Sequence, residues 1–380
     1  MADIPKIRFK GFTEPWEQRK LGDICERVTR KNKNNQSDLP LTISSQYGLI
    51  DQRNFFNKVV AAKDMSNYYL LQNGEYAYNK SYSNGYDYGS IKRLNAYEQG
   101  CLSTLYICFS LEALDVDSDY LECFFDTLQW YGDVSMICAE GARNHGLLNV
   151  DTKAFFTDVR INLPISIKEQ RLIAKYLNNL DHLITLHQRK CDDTKELKKY
   201  MLQKMFPKNG EKFPEIRFKG FTEAWEQRKL KDVVDFLDTM RKPLEGAKRI
   251  PGPYPYYGAS GIVDYVDGYL FDEELVLLSE DGANITDRNY PVCFLASGKY
   301  WVNNHAHVLR TKDGNENNFI CNSLERKDYK QYNSGMAMPK LNKEVCQSIP
   351  ISCPRFDEQK KIGDYFRNLD HLITLHRRAL

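Results

Sequence analysis

The stretch EQRLIAKYLNNLDHLITLHQRKCDDTKELKKYMLQKMF, residues 169–206, decides the fold because it predicts one long, uninterrupted helix. Its apolar residues lie three or four positions apart, or at sums of these spacings, and form one stripe. Pro207 and Gly210 mark the end of the helix. At about 1.5 Å per residue the helix spans roughly 57 Å, and so narrow a stripe predicts a second helix beside it. The stripe consists of Ile173, Leu177, Leu180, Ile184, Cys191, Met201 and Met205.

The same chain supplies a second helix of this kind. Residues 358–380, EQKKIGDYFRNLDHLITLHRRAL, repeat the beginning of the first helix, and NLDHLITLH is identical at 179–187 and 368–376. The predicted pairing residues are Leu177, Leu180, Asp181, Ile184 and His187 in one helix and Leu369, Asp370, Ile373 and His376 in the other. The last residue, Leu380, aligns with Cys191, so this sequence holds no counterpart of residues 192–206 and the extent of the pairing stays open.

Polar residues within the repeated helix have separate interpretations. His187 falls on the apolar stripe, where a buried polar side chain can fix the register of two helices. For Asp181 and Asp370 two interpretations remain open: a solvent-facing residue with a nearby Lys or Arg, or a contact to another subunit.

A second repeated block indicates a duplicated plan. PKIRFKGFTEPWEQRKL at 5–21 returns as PEIRFKGFTEAWEQRKL at 214–230, with two differences in seventeen positions; we call these the frame blocks. The inserts that follow, roughly 22–165 and 231–353, show no comparable likeness. The prediction is a first domain at 1–165, a helix at 166–208, a second domain at 209–353 and a short helix at 354–380.

The inserts predict mixed α/β (α+β) domains, joined in a pseudo-two-fold repeat by long antiparallel, coiled-coil-like helices. Strand-like segments lie at 41–45, 75–78, 103–110, 159–165, 274–279, 290–296, 305–310 and 346–352. A helix is predicted at 118–131, and short helices capped by Thr13 and Thr222 end the frame blocks. Loops are predicted at 139–149, 251–258 and 332–342.

Composition bounds the class of protein. The chain has 380 residues, 42% hydrophobic and 27% charged, so a folded protein with two domains is expected. A net charge of +2 excludes a general polycation, and basic clusters in the frame blocks are either solvated faces or local nucleic-acid surfaces. Ten cysteines without a CxxC pair, no signal peptide and no apolar run of membrane-spanning length favour a cytoplasmic protein.

The sequence lacks the common motifs of nucleotide-binding, metalloprotease and methyltransferase sites. The sequence contains no GxxxxGK[ST], no GxGxxG after a strand, no HExxH and no Asn/Asp-Pro-Pro-Tyr/Phe run. His305 and His307 alternate along a strand but lack a third ligand at diagnostic spacing, so a surface or groove-facing pair is favoured over a metal site. No catalytic and no metal site is predicted.

Basic and amide side chains near the two late loops, 139–149 and 332–342, are the candidate DNA contacts. Gly lets a backbone approach closely there, and Arg, Lys, Asn and His can reach phosphates and base edges. The candidates are Arg143, Asn144, His145, Asn303, Asn304, His305, Lys340, Asn342 and Lys80.

This pattern resembles the specificity subunit of type I restriction–modification systems, over essentially the whole chain. The resemblance is carried by Trp16-Glu17 with Leu21, Trp225-Glu226 with Leu230, Pro164 to Gln170, Pro339 to Asn342, Pro354 to Gln359, and the two Leu-Asp-His-Leu-Ile runs. Each piece is weak alone, but their order and duplication make the set specific.

The resemblance implies a subunit without catalysis of its own. Two recognition domains would each read one half of a split, asymmetric duplex DNA target, with the helices setting a gap of about one duplex turn, roughly 34–36 Å. The subunit would dock two modification (methyltransferase) subunits and, through them, restriction–translocase subunits. It would hold no cofactor, since S-adenosylmethionine, ATP and Mg²⁺ belong to those partners.

Other functions remain open at this point. A coiled-coil adaptor with two ligand-binding α/β domains and no DNA binding is the alternative, supported by the near-neutral charge. A stand-alone methyltransferase is disfavoured by the missing motif.

Overall fold

The computed structural model describes residues 5–44, 47–56, 60–81, 85–144, 147–208 and 210–378, with the backbone alone for 139–144 and 147. Two compact units divide the chain, Met1–Leu183 and Ile184–Leu380, and their boundary falls inside the long helix. We refer to them as the N-terminal unit and the C-terminal unit. No helix among the described residues combines the length and the apolar character that crossing a membrane requires.

The N-terminal unit alternates short strands and helices. Its strands are β1 (Glu17–Lys20), β2 (Cys25–Arg27), β3 (Leu41–Ser44), β4 (Gly48–Asp51), β5 (Tyr69–Gln72), β6 (Tyr76–Asn79), β7 (Ser90–Arg93), β8 (Gln99–Leu102), β9 (Ile107–Leu111), β10 (Cys138–Asn144), β11 (Leu147–Val150) and β12 (Arg160–Leu163). Its helices are α1 (Leu21–Ile24), α2 (Gln52–Phe56), α3 (Ser118–Asp126), α4 (Tyr131–Ile137), α5 (Thr152–Asp158) and the beginning of α6 (Ile167–Lys204).

The C-terminal unit has a similar element order. Its strands are β13 (Glu226–Lys229), β14 (Val234–Phe236), β15 (Pro251–Gly258), β16 (Gly261–Val266), β17 (Phe271–Asp272), β18 (Leu275–Ser279), β19 (Cys293–Ala296), β20 (Lys299–Val302), β21 (Ala306–Thr311) and β22 (Pro350–Cys353). Besides the rest of α6, its helices are α7 (Leu230–Val233), α8 (Asn284–Asp287), α9 (Asn317–Glu325), α10 (Lys343–Gln347) and α11 (Phe356–Arg378).

Each insert contains a four-stranded sheet, and the two sheets correspond in strand order despite the unlike sequences of the inserts. Four strands are ordered β2-β9-β6-β7 in the N-terminal unit and β14-β21-β18-β19 in the C-terminal unit. The registers also correspond, because Tyr78 pairs with Ile107 in one sheet and Leu278 with His307 in the other. Corresponding residues of β6 and β18 are therefore 200 positions apart, as are those of β9 and β21.

Different core side chains explain why the sequence likeness is hidden. Tyr76, Tyr78 and Phe109 are fully buried in the N-terminal unit, where Val276, Leu278 and Leu309 occupy the corresponding positions of the other. The smaller aliphatic residues leave room that other aromatics fill, and these include Phe206, Trp225 and Phe319. Cores accept such exchanges when total volume is conserved.

Several predicted elements are confirmed and two loop predictions are wrong. The strands predicted at 41–45, 75–78 and 274–279 are present as β3, β6 and β18. The segment 139–149, predicted as a loop, largely forms the hairpin β10–β11. The segment PGPYPYYG, also predicted as a loop, is β15; its neighbour β20 pairs only with Tyr256 and Tyr257, so the prolines need not donate on that side.

The frame blocks end in a strand followed by one helical turn. Strands β1 and β13 pair antiparallel with β12 and β22, which lead into the long helices. The capping roles predicted for Thr13 and Thr222 are wrong: α1 and α7 begin after Lys20 and Lys229, because the residues before them are committed to strand pairing.

Each frame block is locked to its long helix by one buried ion pair, which we call the clasp. The Arg8 guanidinium donates to both carboxylate oxygens of Glu169, at 2.6 and 2.8 Å, and Arg217 does the same to Glu358, at 2.7 Å each. Both glutamates are 1% exposed. A carboxylate this buried needs a charged partner, so removing the frame block from the helix costs folding free energy.

A glutamine beside each clasp ties in the insert. The Gln170 side chain accepts from the Asp117 backbone N–H at 2.7 Å and donates to the carbonyl of Pro164 at 2.8 Å. Gln359 makes the corresponding bonds to Glu316 and Pro354, at 3.1 and 3.0 Å. The repeated Glu-Gln dipeptide therefore joins frame block, insert and helix in each unit.

Within the C-terminal unit, the later part of α6 pairs antiparallel with α11, as predicted. His187 and His376 meet with their Nδ1 atoms 3.1 Å apart, and Lys198 Nζ lies 2.6 Å from Asp370 Oδ1. Further along, Met205 and Leu369 lie in one core cluster. The local partner expected for Asp370 is thus Lys198, and His187 is a polar contact between the helices.

The predicted apolar stripe is only partly buried. Cys191 and Met205 are 2% exposed, but Leu180 and Ile184 are 39% and 48% exposed. Asp181 is also exposed, whereas Leu177 and Ile373 are half-buried. The expectation that Leu180 and Ile184 are covered within the chain is therefore wrong.

A buried histidine holds the segment 332–342, which we call the C-terminal late segment. His307, 1% exposed, has Nδ1 2.8 Å from Asp238 Oδ2 and Nε2 2.8 Å from the Leu341 carbonyl oxygen. Because both neighbours are acceptors, both ring nitrogens donate and the imidazolium form is stabilised. Burial lowers the pKa of His307, but the hydrogen bond to Asp238, with smaller contributions from Cys346, raises it to about 10.

We expect Arg217→Met to destabilise the C-terminal unit by about 3 kcal/mol, because Glu358 would be left as a buried carboxylate without a partner. Urea unfolding followed by fluorescence measures this. The matched control is Arg228→Met, which removes a pair to Glu226 whose side chains are 43% and 70% exposed and is expected to cost under about 1 kcal/mol. Equal losses in the two variants would show that the clasp has no special weight.

The His307 contacts predict a pH dependence. A pKa raised from about 6.5 in the unfolded chain to about 10 in the folded one gives stability that is complete below about pH 6.5 and is lost as the pH rises toward 10. We expect the difference in unfolding free energy between wild type and His307→Gln to shrink over this window, from a value on the order of a few kcal/mol. A difference that stays constant from pH 6.5 to 10 would contradict an imidazolium at this position.

Candidate nucleic-acid interface

The candidate interface of each unit lies where the central strand of its sheet ends. Strand β6 runs into Lys80 and β18 into Glu280, which are corresponding positions. The carbonyl of Lys80 accepts from Leu148 N at 2.9 Å, and that of Glu280 from Leu341 N at 2.7 Å. The late loop singled out in each insert therefore meets the same strand end.

In the N-terminal unit this strand end is cationic. Lys80 is half-buried, and burial together with the nearby charge of Arg27 lowers its pKa. Neither Lys80 nor Arg27 forms an ion pair with a carboxylate among the described residues, although Arg27 donates to the Tyr69 hydroxyl at 3.4 Å. Two like charges with no counter-ion among the described side chains favour an anionic ligand such as a phosphate.

The other candidates of the N-terminal unit can be placed only in part. Arg143 and Asn144 belong to β10, opposite Leu148 and Leu147, so their backbones are on the hairpin that bonds to Lys80. Their side chains and the whole of His145 lie outside the described residues.

In the C-terminal unit the strand end carries a charge network instead. The Glu280 carboxylate accepts from Arg241 Nη1 at 2.7 Å and lies 3.6 Å from Lys340 Nζ. Arg241 also donates to the carbonyl of Ala306 at 2.8 Å. The side chain of Arg241 is 12% exposed and that of Lys340 46% exposed, so Lys340 is the cation that solvent or a ligand can reach.

The Asn303-Asn304-His305 turn stands beside this network. Asn303 is buried, and its side-chain oxygen accepts from the His305 backbone N–H at 2.8 Å. It therefore shapes the turn, while Asn304 and His305 are exposed. His305 Nδ1 lies 2.8 Å from Asp281 Oδ1, and its side chain is 50% exposed. Of the histidine pair expected at the surface or facing a groove, His305 is at the surface, whereas the expectation is wrong for His307, which is buried.

The C-terminal late segment is closed at its base and exposed at its tip. The Asn333 side-chain oxygen accepts from the backbone N–H groups of Gly335 and Lys340, both at 2.9 Å. Met336 at the tip is fully exposed and Met338 is 60% exposed. Asn342 begins α10 and is exposed without a side-chain capping bond. Lys340, His305 and Asn304 are thus brought to one surface of the C-terminal unit.

Much of the basic character of the frame blocks is structural. Arg8 and Arg217 belong to the clasps, Arg19 pairs with Asp115, and Arg228 pairs with Glu226. Among the described side chains no three His, Cys, Asp or Glu residues converge as a metal site would need.

Sequence reasoning missed Arg27, Arg241, Glu280 and Asp281. The last two directly follow the apolar run of β18, and Lys80 follows β6 in the same way. Charged residues at the end of a buried strand were the available signal. Arg241 had no such signal, because Glu280 and Ala306, which it joins at the strand end, are 39 and 65 residues away in sequence.

Known proteins are similar to this chain in sequence and in fold. A family model for the type I restriction modification DNA specificity domain matches residues 222–380. A Haemophilus influenzae protein, named as a type I restriction enzyme specificity subunit, is 36% identical over 168 residues, or 44% of this chain and 42% of that protein. The MjaVIII type I restriction enzyme specificity subunit of Methanocaldococcus jannaschii is 26% identical over 271 residues, or 61% of this chain and 60% of that protein. The chain thus spans about half the length of the curated relatives it matches.

A solved structure extends the likeness over the whole fold. The crystal structure of the type I restriction–modification S subunit from M. genitalium superposes with a TM-score of 0.65 at 14% identity, covering 98% of this chain and 94% of that one. The chain is therefore similar in sequence, over part of its length, to type I restriction–modification specificity subunits, and residues 222–380 match their specificity domain, while the fold as a whole is that of an S subunit.

Proposed function

We propose that this chain is a non-catalytic DNA-recognition subunit that reads a bipartite, asymmetric target, one half with each unit. The observation that carries the proposal is the contrast between two corresponding strand ends. Among the described side chains Lys80 has no carboxylate partner in one unit, and a neutralised Glu280 occupies its place in the other. One scaffold with unlike groups at its reading edge suits two unlike half-sites.

Phosphate and base contacts would divide between these groups. Lys80, Arg27 and Lys340 are suited to phosphates, because each is a cation that an anion can approach. Asn304, His305 and Asn342 are exposed and carry the donors and acceptors that base edges match. Arg143 and Asn144 remain candidates on the hairpin beside Lys80, and His145 remains a candidate from the sequence alone.

Partner subunits would supply the chemistry. We propose that two modification subunits dock on the helices, where Leu183, Ile184, Leu372 and Leu375 are 41–53% exposed. Side chains of this kind, exposed on helices, are suited to a protein interface. S-adenosylmethionine, ATP and Mg²⁺ would be held by those partners and by the restriction subunits that join them. Such a complex acts on DNA in the bacterial cytoplasm.

A salt series tests the proposal against the adaptor alternative. We expect binding of the full chain to a random duplex to weaken steeply between 50 and 200 mM salt, because each neutralised phosphate contributes about −0.9 to the slope of log K against log salt. An adaptor without DNA binding would show no such interaction. Fluorescence anisotropy measures both outcomes.

Lys80→Ala should reduce this slope by about 1, since it removes one phosphate contact. The control is Lys175→Ala, an exposed lysine of α6, which should leave the slope unchanged. An unchanged slope in the Lys80 variant would remove Lys80 from the interface.

Unit-wise reading predicts unit-wise defects. In cells carrying this chain with its modification subunits, Lys340→Ala should relax or weaken only the half-site read by the C-terminal unit, and Arg143→Ala only the other. Mapping of methylated adenines across the genome reports both halves and the gap at once. Equal changes in both halves from either substitution would mean that the units do not read separately.

A further inference from the structure

The His305 residue is held at three points, which leaves one functional atom free. Its backbone N–H donates to the Asn303 side chain at 2.8 Å, and its carbonyl accepts from Glu280 N at 2.9 Å. Its ring Nδ1 lies 2.8 and 2.9 Å from the two oxygens of Asp281. Nε2 has no hydrogen-bond partner among the described residues, and the side chain is half exposed.

The Asp281 contact determines where the ring hydrogen resides. An ionised carboxylate can only accept, so the hydrogen must sit on Nδ1 for this contact to be a hydrogen bond. In the neutral imidazole, Nε2 is then an acceptor that points away from Asp281. The contact between Asp281 and Nδ1 therefore makes the exposed Nε2 a hydrogen-bond acceptor.

An outward acceptor backed by a carboxylate is poorly suited to phosphate. Phosphate oxygens are themselves acceptors, and the Asp281 carboxylate lies beside the ring. The matching group on DNA is an exocyclic amino group. Adenine N6 and cytosine N4 present one in the major groove, and guanine N2 presents one in the minor groove.

The corresponding position of the N-terminal unit has the same backbone and a different side chain. Leu105 lies two residues before Ile107, as His305 lies two before His307, and Ser103 Oγ accepts from Leu105 N at 3.4 Å as Asn303 does from His305. Leu105 is 55% exposed and can neither donate nor accept through its side chain. One turn thus presents an acceptor in one unit and an apolar group in the other.

We propose that His305 Nε2 accepts a hydrogen bond from the exocyclic amino group of one base in the half-site read by the C-terminal unit, with Asp281 as the positioning residue. This rests on the proposed function and adds a base-reading atom to it. The base is adenine or cytosine if the C-terminal unit lies in the major groove, and guanine if it lies in the minor groove.

Amino-group deletion in the DNA tests the contact. The full chain with its modification subunits is titrated with its mapped target and with duplexes in which single bases lack the amino group: purine for adenine, 2-pyrimidinone for cytosine and inosine for guanine. At one position of one half-site the loss should weaken wild-type binding about 3- to 10-fold beyond its effect on His305→Ala, for which the same deletion should cost nothing extra. The analogue that responds identifies the groove.

Two further variants separate reading from folding. Asp281→Ala should lose most of the discrimination at that same position while its thermal midpoint and salt slope stay as in wild type, because only the ring orientation is released. Leu105→Ala, the matched control, should keep the discrimination in full. Loss of that discrimination in the control would mean that the effect does not arise at His305.

The remaining outcomes are decisive in either direction. A uniform loss of affinity for all duplexes in His305→Ala, with a slope reduced by about 1, would assign His305 to a phosphate and overturn the proposal. Equal penalties in wild type and His305→Ala at every position would also overturn it, while specific binding by wild type would leave the proposed function standing. Absence of specific binding by wild type would overturn the proposed function itself.

Discussion

The fold of each unit depends on a carboxylate that is almost completely removed from water. Glu169 and Glu358 are the first charged residues buried at the start of their helices, and each is matched by one arginine of a frame block. Without the arginine the carboxylate would have neither solvent nor a counter-ion. The frame block, the strand that it forms and the helix are therefore coupled in the folded unit. The glutamine beside it extends the same constraint to the insert through Asp117 or Glu316.

This arrangement separates what can vary from what cannot. The clasp, the β1–β12 or β13–β22 pair and the helix start use nearly the same residues twice. The four-stranded sheets keep only their order and register, and even their central core positions differ in kind, with tyrosines in one and aliphatic residues in the other. At the strand ends the two units differ in charge and hydrogen-bonding character. The repeated frame is thus kept, while the inserts vary in their cores and at their strand ends.

Periodicity and repetition in the sequence predicted the long helices and their antiparallel pairing, because these depend on local spacing. Eight strands of the described residues were also predicted, namely β3, β6, β9, β12, β18, β19, β21 and β22, and the other strands were missed. The corresponding architecture of the two inserts could not be predicted from the sequence, because corresponding buried positions hold different residue types, as Tyr78 and Leu278 do. The proline-rich strand β15 was missed because proline lacks a backbone N–H. That lack excludes a strand only where a neighbouring strand needs the donor, and the sequence does not show that β20 pairs only with Tyr256 and Tyr257. For the candidate site, Lys340 and His305 were found from residue type, while Arg241 and Asp281 required knowledge of folded neighbours far away in the chain.

The contact between His187 and His376 places one residue against its own duplicate. Two lone pairs facing each other at 3.1 Å repel, as do two hydrogens, so one Nδ1 must carry the proton and the other must be bare. Identical sequence therefore does not mean identical chemistry here: the two copies of this histidine must differ in the hydrogen carried by Nδ1, so the repeat is asymmetric where the copies meet.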